Sequence, residues 1–296
     1  MKLVVSGASG LLGSALVPAL EADGHEVLRL VRHKPEGANE IEWDPGRGSL
    51  DADALTGVSA AINLSGATIG RRWTPSRKAE IVSSRVDTTR LLSQTLAQVD
   101  PHPQALLSAG GIGIYGDRSD EILTEESGLG GGFLGEVGKA WEEASESARA
   151  AGIRVVTFRQ GVVLTHRGGI LERLLTPFKL GFGGQVGSGK QWWSWVSSDD
   201  LVEAYRFALA HDISGAVNLV SPNPVTNSQF TKALGRAIKR PTVVPFPAFA
   251  AKTIFGEMGE EVLLGSQRAL PARLLDAGFT FRHAELGPAL ERALAE

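Results

Sequence analysis

A stretch of seven residues near the amino end constrains this chain more than any other. Gly7-Ala8-Ser9-Gly10-Leu11-Leu12-Gly13 forms a G-x-x-G-x-x-G loop. It follows directly on Lys2–Ser6, whose Leu3, Val4 and Val5 read as a short strand buried on both faces. A helix over about 11–22 comes next and stops at Asp23-Gly24. Between a strand and a helix, that glycine spacing has a physical meaning. Gly7 allows a tight turn, Gly10 lets the backbone approach a pyrophosphate, and Gly13 lets the helix lie close to the strand. The free N–H groups and positive dipole end of the helix then face the phosphates. Cofactor contacts are therefore expected at Gly7, Ser9, Gly10, Leu11, Leu12 and Gly13.

The rhythm beyond the loop sets the fold class. Apolar strand patterns at Glu26–Val31, 58–64, 104–108, 154–158 and 216–220 alternate with helical patterns at 75–99, 133–151 and 199–210. This predicts an α/β fold with a Rossmann-type, doubly wound parallel sheet. Past about residue 161 the pattern changes. Glycines crowd between Gly181 and Gly189, and Trp192, Trp193 and Trp195 follow. Residues of about 165–195 read as an insertion belonging to a substrate lobe. Ser221-Pro222-Asn223-Pro224 breaks any regular element and marks a boundary. The expected division is a cofactor-binding domain over 1–220 and a smaller C-terminal substrate lobe over 221–296.

The second strand ends in Leu30-Val31-Arg32-His33-Lys34. Enzymes that use NAD place an acid about 20 residues beyond the glycines, bonded to the ribose 2′-hydroxyl. No acid stands there, and Arg32 lies 19 residues after Gly13. A guanidinium at that point suits a 2′-phosphate, so NADP(H) is the expected cofactor.

Several other classes are set aside. A net charge of -3 argues against a nucleic-acid partner. With no cysteine, disulfides and thiolate metal sites are excluded. The histidines at 25, 33, 102, 166, 211 and 283 lack ligand spacing, so no metal is expected. No apolar run has the length of a membrane span, and no secretory pattern precedes the first strand, so a cytoplasmic location is expected. Gly184 to Lys190 spells G-x-x-x-x-G-K, but Gln191 stands where a phosphate loop needs Ser or Thr.

Further motifs extend over nearly the whole chain. They include Asn63-Leu64-Ser65-Gly66, Arg72-Trp73, Ser84-Arg85-Val86, Tyr115-Gly116-Asp117 and Arg159-Gln160-Gly161-Val162-Val163-Leu164. Trp195-Val196, the run from Asn218 to Thr226, and Ala277-Gly278-Phe279 complete the set. Together they resemble the extended short-chain dehydrogenase/reductase superfamily. The likeness is to its atypical, nucleoside-diphosphate-sugar-epimerase-like branch, some members of which carry an old cell-division-inhibitor label. The resemblance implies that Asn63, Ser65 and Gly66 border the cofactor. It places Ser108 and Ala109 over the nicotinamide side. It sets Arg159, Gly161 and Val163 around the nicotinamide ribose and substrate pocket. It also implies a homodimer in which the helices near 75–99 and 133–151 pair.

The usual chemistry of that superfamily needs a Tyr and a Lys four residues later, whose charge lowers the phenol's pKa. Tyr115 is followed at that distance by Ser119, and Tyr205 by Leu209. The partner hydroxyl falls at Gly110 or Gly111, neither of which has a side chain. The catalytic candidates left are Tyr115, Ser108 and Lys139. Tyr115 reads either as a cleft phenol or as a packed tyrosine; Lys139 reads either as a ribose contact or as part of a solvated helix face. Glu125 reads as a substrate contact or a cap, and Asp199 as the cap of the helix after it. Trp193 and Trp195 suit a pocket or a core, and Arg71, Arg72 and Trp73 an anion-binding loop or a plain surface loop. Two functions follow. One is an NADP(H)-dependent oxidoreductase or epimerase-like enzyme for a small, unidentified substrate. The other is a non-catalytic NADP(H)-binding sensor or assembly protein.

Overall fold

The computed structural model describes residues 1–295. In chain order the strands are β1 (Lys2–Ser6), β2 (Glu26–Val31), β3 (Glu40–Glu42), β4 (Ala60–Asn63), β5 (Ala105–Gly111), β6 (Ile122–Leu123), β7 (Arg154–Gln160), β8 (Val162–Leu164), β9 (Trp192–Trp193), β10 (Trp195–Ser197), β11 (Gly215–Leu219), β12 (Val225–Thr226) and β13 (Arg268–Ala269). The helices are α1 (Gly13–Ala22), α2 (Pro75–Leu96), α3 (Gly132–Glu143), α4 (Glu146–Ala150), α5 (Gly169–Lys179), α6 (Ser198–Ala210), α7 (Asn227–Ala237), α8 (Ala248–Phe255), α9 (Ala272–Asp276) and α10 (Leu286–Ala295).

The expected doubly wound sheet is present. Seven parallel strands lie in the order β11-β7-β5-β4-β1-β2-β3. The period-two geometry of a strand divides its side chains between two layers. From β1, Leu3 and Val5 join Leu16, Val17 and Leu20 of α1 and Leu201 and Tyr205 of α6. Val4 faces the other way, with Leu91, Leu92 and Leu96 of α2 and Ala148 of α4. The chain moves outward from β1 through β2 to β3, then returns to β4 on the other side of β1. That reversal opens a crevice at the carboxyl ends of β1 and β4, where ligands of such sheets bind.

Two departures from the expected elements have local causes. The helix expected over 133–151 is broken between Glu143 and Glu146, because Ala148 N donates to Ser93 Oγ on α2 at 2.8 Å. The Ser93 hydroxyl thus satisfies an amide in the first turn of α4 in place of an in-line helical partner. The other departure is β3, a polar edge strand that pairs Glu40 with Arg29 and Glu42 with Val31.

A third apolar cluster lies beyond the carboxyl edge. Leu171, Leu175 and Phe178 of α5 meet Trp193, Trp195, Phe230, Leu234, Leu286 and Leu290 there. Trp193 and Phe230 have ring centroids 5.2 Å apart. Trp193 and Trp195 thus belong to a core, whereas Trp192 is half-buried under the guanidinium of Arg268, 4.2 Å from its ring. Thr226 starts α7 with a capping box closed by Gln229, as a T-x-x-Q spacing allows. The cap of α6 is Ser197, whose Oγ accepts from Asp200 N at 3.0 Å. Asp199, expected to cap that helix, instead meets Arg292 at 3.0 Å and His283 at 3.2 Å.

Candidate functional site

The glycine loop lies at the mouth of the crevice. Gly7 has φ +69°, and a Cβ there would lie 2.8 Å from the Leu64 carbonyl. A Cβ on Gly13 would lie 2.4 Å from Gly7 O and 2.5 Å from Ala8 O. Both obstacles are backbone, so neither position accepts a side chain without opening the turn. Gly10 N donates to Gly7 O at 3.0 Å, leaving Ser9 and Gly10 exposed at the apex. Leu11 turns sideways, and a Cβ on Gly168 would lie 2.8 Å from its Cδ1. Leu12 is half-buried against the core under α1.

The two central strand ends are tied together by short polar bonds. Ser6 Oγ donates to Asn63 Oδ1 at 2.5 Å, and Ser65 Oγ donates to Ser6 Oγ at 2.9 Å. Asn63 Oδ1 also accepts from Ser65 N at 3.2 Å, while its Nδ2 donates to Thr89 Oγ1 at 2.7 Å. Trp141 Nε1 donates to the same Thr89 hydroxyl at 2.9 Å. Asn63 is completely buried, so it shapes the crevice from beneath and does not line it. Gly66 is exposed above it.

Arg32 follows the last residue of β2 and is exposed. Among the described residues it makes no hydrogen bond or ion pair, so its guanidinium is available to a ligand. Beside it, His33 Nδ1 lies 3.0 Å from the Lys34 carbonyl. That acceptor, followed by the charges of Glu40, Glu36 and Glu42, raises the His33 pKa above its ordinary value of 6.5, against a smaller opposing effect of desolvation.

The candidate catalytic residues lie elsewhere than a proton donor would need to. Tyr115 is fully buried. Its hydroxyl accepts from Arg159 Nη1 at 2.9 Å, and its proton faces Asn218 Oδ1 at 2.7 Å and Thr124 O at 3.0 Å. Burial raises its pKa despite the adjacent Arg159 charge, so the phenol stays protonated. Ser108 is also buried, and its Oγ donates to Ala109 O at 3.2 Å. Lys139 stands in solvent, 4.0 Å from Glu143. Tyr115 and Ser108, expected as catalytic candidates, are thus sealed in the interior and present no hydroxyl to the cleft, while Lys139 stands in solvent.

Arg159, expected at the nicotinamide ribose, is held by partners inside the protein. Its Nε and Nη2 donate to the two carboxylate oxygens of Glu142 at 2.7 and 2.9 Å. Burial alone would lower its pKa; the Glu142 bonds and charge outweigh this and raise it. A single polar line therefore runs from Glu142 through Arg159, Tyr115 and Asn218 to Glu125, whose Oε1 accepts from Asn218 N at 2.9 Å. That Oε1 also accepts from Arg273 N in the first turn of α9 at 3.3 Å, so buried Glu125 is an internal anchor that caps that helix. Gly161 serves packing, because a Cβ there would lie 2.5 Å from Ser194 O. Val163 is half-buried and pairs with Val196 in the β8–β10 ribbon. Ala109 is buried on β5.

On the far side of the cleft, Trp73 is buried with Nε1 donating to Ile69 O at 2.9 Å. Arg72 donates to Thr253 O and Ile254 O at 2.9 and 3.0 Å, which fastens this loop to α8, and Arg71 is exposed. One residue absent from the sequence-derived candidates comes to the cleft from α2. Arg85 lies under the loop at Gly66, a placement that its membership of the Ser84-Arg85-Val86 motif does not by itself reveal.

Comparison with known proteins agrees with this geometry. The model of the NAD dependent epimerase/dehydratase family matches residues 3–219, and a Domain of unknown function (DUF1731) matches 246–293. The chain is 44% identical over 290 residues to an epimerase family protein of Mycobacterium tuberculosis, covering 97% of this chain and 96% of that one. It is 36% identical to the human epimerase family protein SDR39U1 over the full length of both. A crystal structure of human SDR39U1 with NADPH superposes with a TM-score of 0.91 at 33% identity, again covering both chains fully. A nucleoside-diphosphate sugar epimerase of Corynebacterium glutamicum gives 0.81 at 36% identity, covering 99% of this chain and 58% of that one. The chain belongs to the NAD-dependent epimerase/dehydratase family.

Proposed function

We propose that the protein binds NADP(H) in the crevice and acts as an oxidoreductase or epimerase-like enzyme on a small substrate. The substrate would lie between the sheet's carboxyl edge and the smaller lobe formed by residues 221–296 with the 165–195 insertion. The observation that carries the reading is Arg32: an exposed guanidinium, free of partners among the described residues, at the strand end where a 2′-phosphate would lie. The NADPH held by the human relative supports it. Hydride would pass between the nicotinamide and a substrate carbon. The matching proton would be exchanged with water or with a non-standard group of the cleft, since the buried phenol of Tyr115 is committed to Arg159 and Asn218.

The same sealed phenol favours a second reading, a sensor or assembly protein in which bound NADP(H) only stabilises the fold. Fluorescence titration with NADPH and NADH tests the cofactor step. Wild type is expected to prefer NADPH by at least about tenfold, about 1.4 kcal/mol, and Arg32→Ala to remove the difference. Equal affinity for both in wild type would refute the 2′-phosphate assignment. Steady turnover of NADPH with a panel of carbonyl compounds would decide for the enzyme; binding without turnover would decide for the sensor.

A further inference from the structure

Several buried or half-buried arginines in this protein are matched by acids. Arg159 has Glu142, Arg206 has Asp23 and Glu203, and Arg77 has Glu80. Arg85 is the exception in the cleft. Its Nη1 donates to Ile81 O at 3.1 Å and approaches Ser84 Oγ at 3.5 Å, and no carboxylate among the described residues lies within 4.0 Å of it. Among the described residues Nε and Nη2 have no acceptor, yet neither is sealed from solvent. Burial, then repulsion from Arg77, pushes its pKa down to about 10. An arginine held this way is destabilising unless something else supplies the negative charge.

The surroundings fix where that charge would arrive. The guanidinium carbon lies 5.0 Å from the Trp141 ring, which holds the cation from one side. On another side lies the exposed backbone of Gly66, where a Cβ would be 3.4 Å from both Cζ and Nη2. Ala67 N donates to Ser84 Oγ at 2.9 Å and pins the loop over the helix. The fork of donors is therefore oriented in advance, beside the loop that follows β4 and faces the crevice.

We infer that Arg85 anchors an anionic oxygen group, a carboxylate or a phosphate, of a ligand held in the cleft beside Gly66. A guanidinium is suited to both groups because its parallel N–H bonds match two oxygens at once. The group has two sources, the diphosphate of the cofactor or an acidic group on the substrate. The inference relies on the cofactor reading only for the second ligand's place in the crevice.

The test uses Arg85→Met, which keeps an apolar stem on Trp141 and removes the charge, and Arg85→Lys, which restores the charge without the fork. Three quantities are read: melting of the ligand-free proteins, NADPH affinity by fluorescence, and melting of the NADPH-saturated proteins with inorganic phosphate added. Ligand-free Arg85→Met is expected to melt at or above the wild-type temperature, because an unneutralised charge has gone. If the anion belongs to the cofactor, Arg85→Met weakens NADPH by at least about tenfold. If it belongs to the substrate, NADPH affinity stays within about twofold, and phosphate raises the melting temperature of NADPH-loaded wild type but not of the variant. Arg85→Lys recovers part of the effect in either case. Equal NADPH affinity together with equal phosphate stabilisation in wild type and Arg85→Met overturns the inference. So does a fall of several degrees in the ligand-free variant, the mark of a structural arginine. If NADPH binds neither protein, the cofactor reading fails separately, and phosphate stabilisation of the ligand-free pair decides Arg85 by the same criterion.

Discussion

Removing one oxygen, in Tyr115→Phe, separates a structural phenol from a catalytic one. The ring stays in its buried slot, 5.1 Å from the Arg159 guanidinium carbon, so packing and the cation–π contact are retained. The hydroxyl's bonds are lost: the one received from Arg159 at 2.9 Å and the one given toward Asn218 at 2.7 Å. A bond to a charged group contributes about 1.5–3 kcal/mol net, and a buried acceptor left without its donor costs about 1–3 kcal/mol. Asn218 Oδ1 becomes such an acceptor. Arg159 keeps both Glu142 bonds, so its own loss lies at the low end of the range. The expected cost is about 3 kcal/mol, or about 6 °C in melting temperature for a chain of this size. Urea unfolding followed by tryptophan fluorescence gives the first number, and an NADPH titration gives the control. The variant should bind NADPH within about twofold of wild type. If Tyr115→Phe unfolds like wild type but loses cofactor affinity or turnover, the phenol serves the cleft and the structural reasoning fails.

Three further outcomes follow from the same contacts. Gly13→Ala places a methyl 2.4 Å from Gly7 O, so NADPH should bind at least about 100-fold more weakly, about 2.7 kcal/mol, by fluorescence titration; unchanged affinity would mean that the loop does not cradle the phosphates. His33 has a raised pKa, so its protonated form adds charge beside Arg32 as pH falls. The NADPH-over-NADH preference should therefore grow as pH falls through that raised pKa, which lies above 6.5, and His33→Gln should flatten that dependence in parallel titrations. Asp200 is fully buried, and its carboxylate accepts from Arg282 N at 2.6 Å, His283 N at 3.0 Å and Ser197 Oγ at 2.7 Å. Asp200→Ala should cost about 3 kcal/mol and speed proteolysis of the tail after residue 281, as limited digestion would report.

What the sequence made legible was governed by local rules. The run Leu3-Val4-Val5 ahead of Gly7 located β1, its loop and the crevice, because burial on both faces and a positive φ each leave a local residue signature. The short strand Glu40–Glu42, by contrast, has acids at both ends and no apolar run, and it becomes a strand by pairing with β2. The break in the helix near Ala144 depends on a hydroxyl at Ser93, far away in sequence. Pairing across distance also explains the errors at the site. Arg159 and Tyr115 each have side chains able to serve a cleft. Their roles were decided by Glu142, 17 residues from Arg159, and by Asn218, 103 residues from Tyr115. Arg85 was visible as part of a motif, but its lack of a counterion among the described residues appears only once their acids are placed in three dimensions.

One feature of β5 bears on what can be made from this protein. Gly111 is one of the two positions where the resemblance puts a reactive hydroxyl, and it has φ -149° and ψ 144°, a conformation open to any residue. A Cβ built there meets nothing within 4 Å. The position is therefore writable, and a serine or threonine could be installed without disturbing the scaffold. The chain offers a ready-made blank on which proton-transfer chemistry can be reconstructed one side chain at a time.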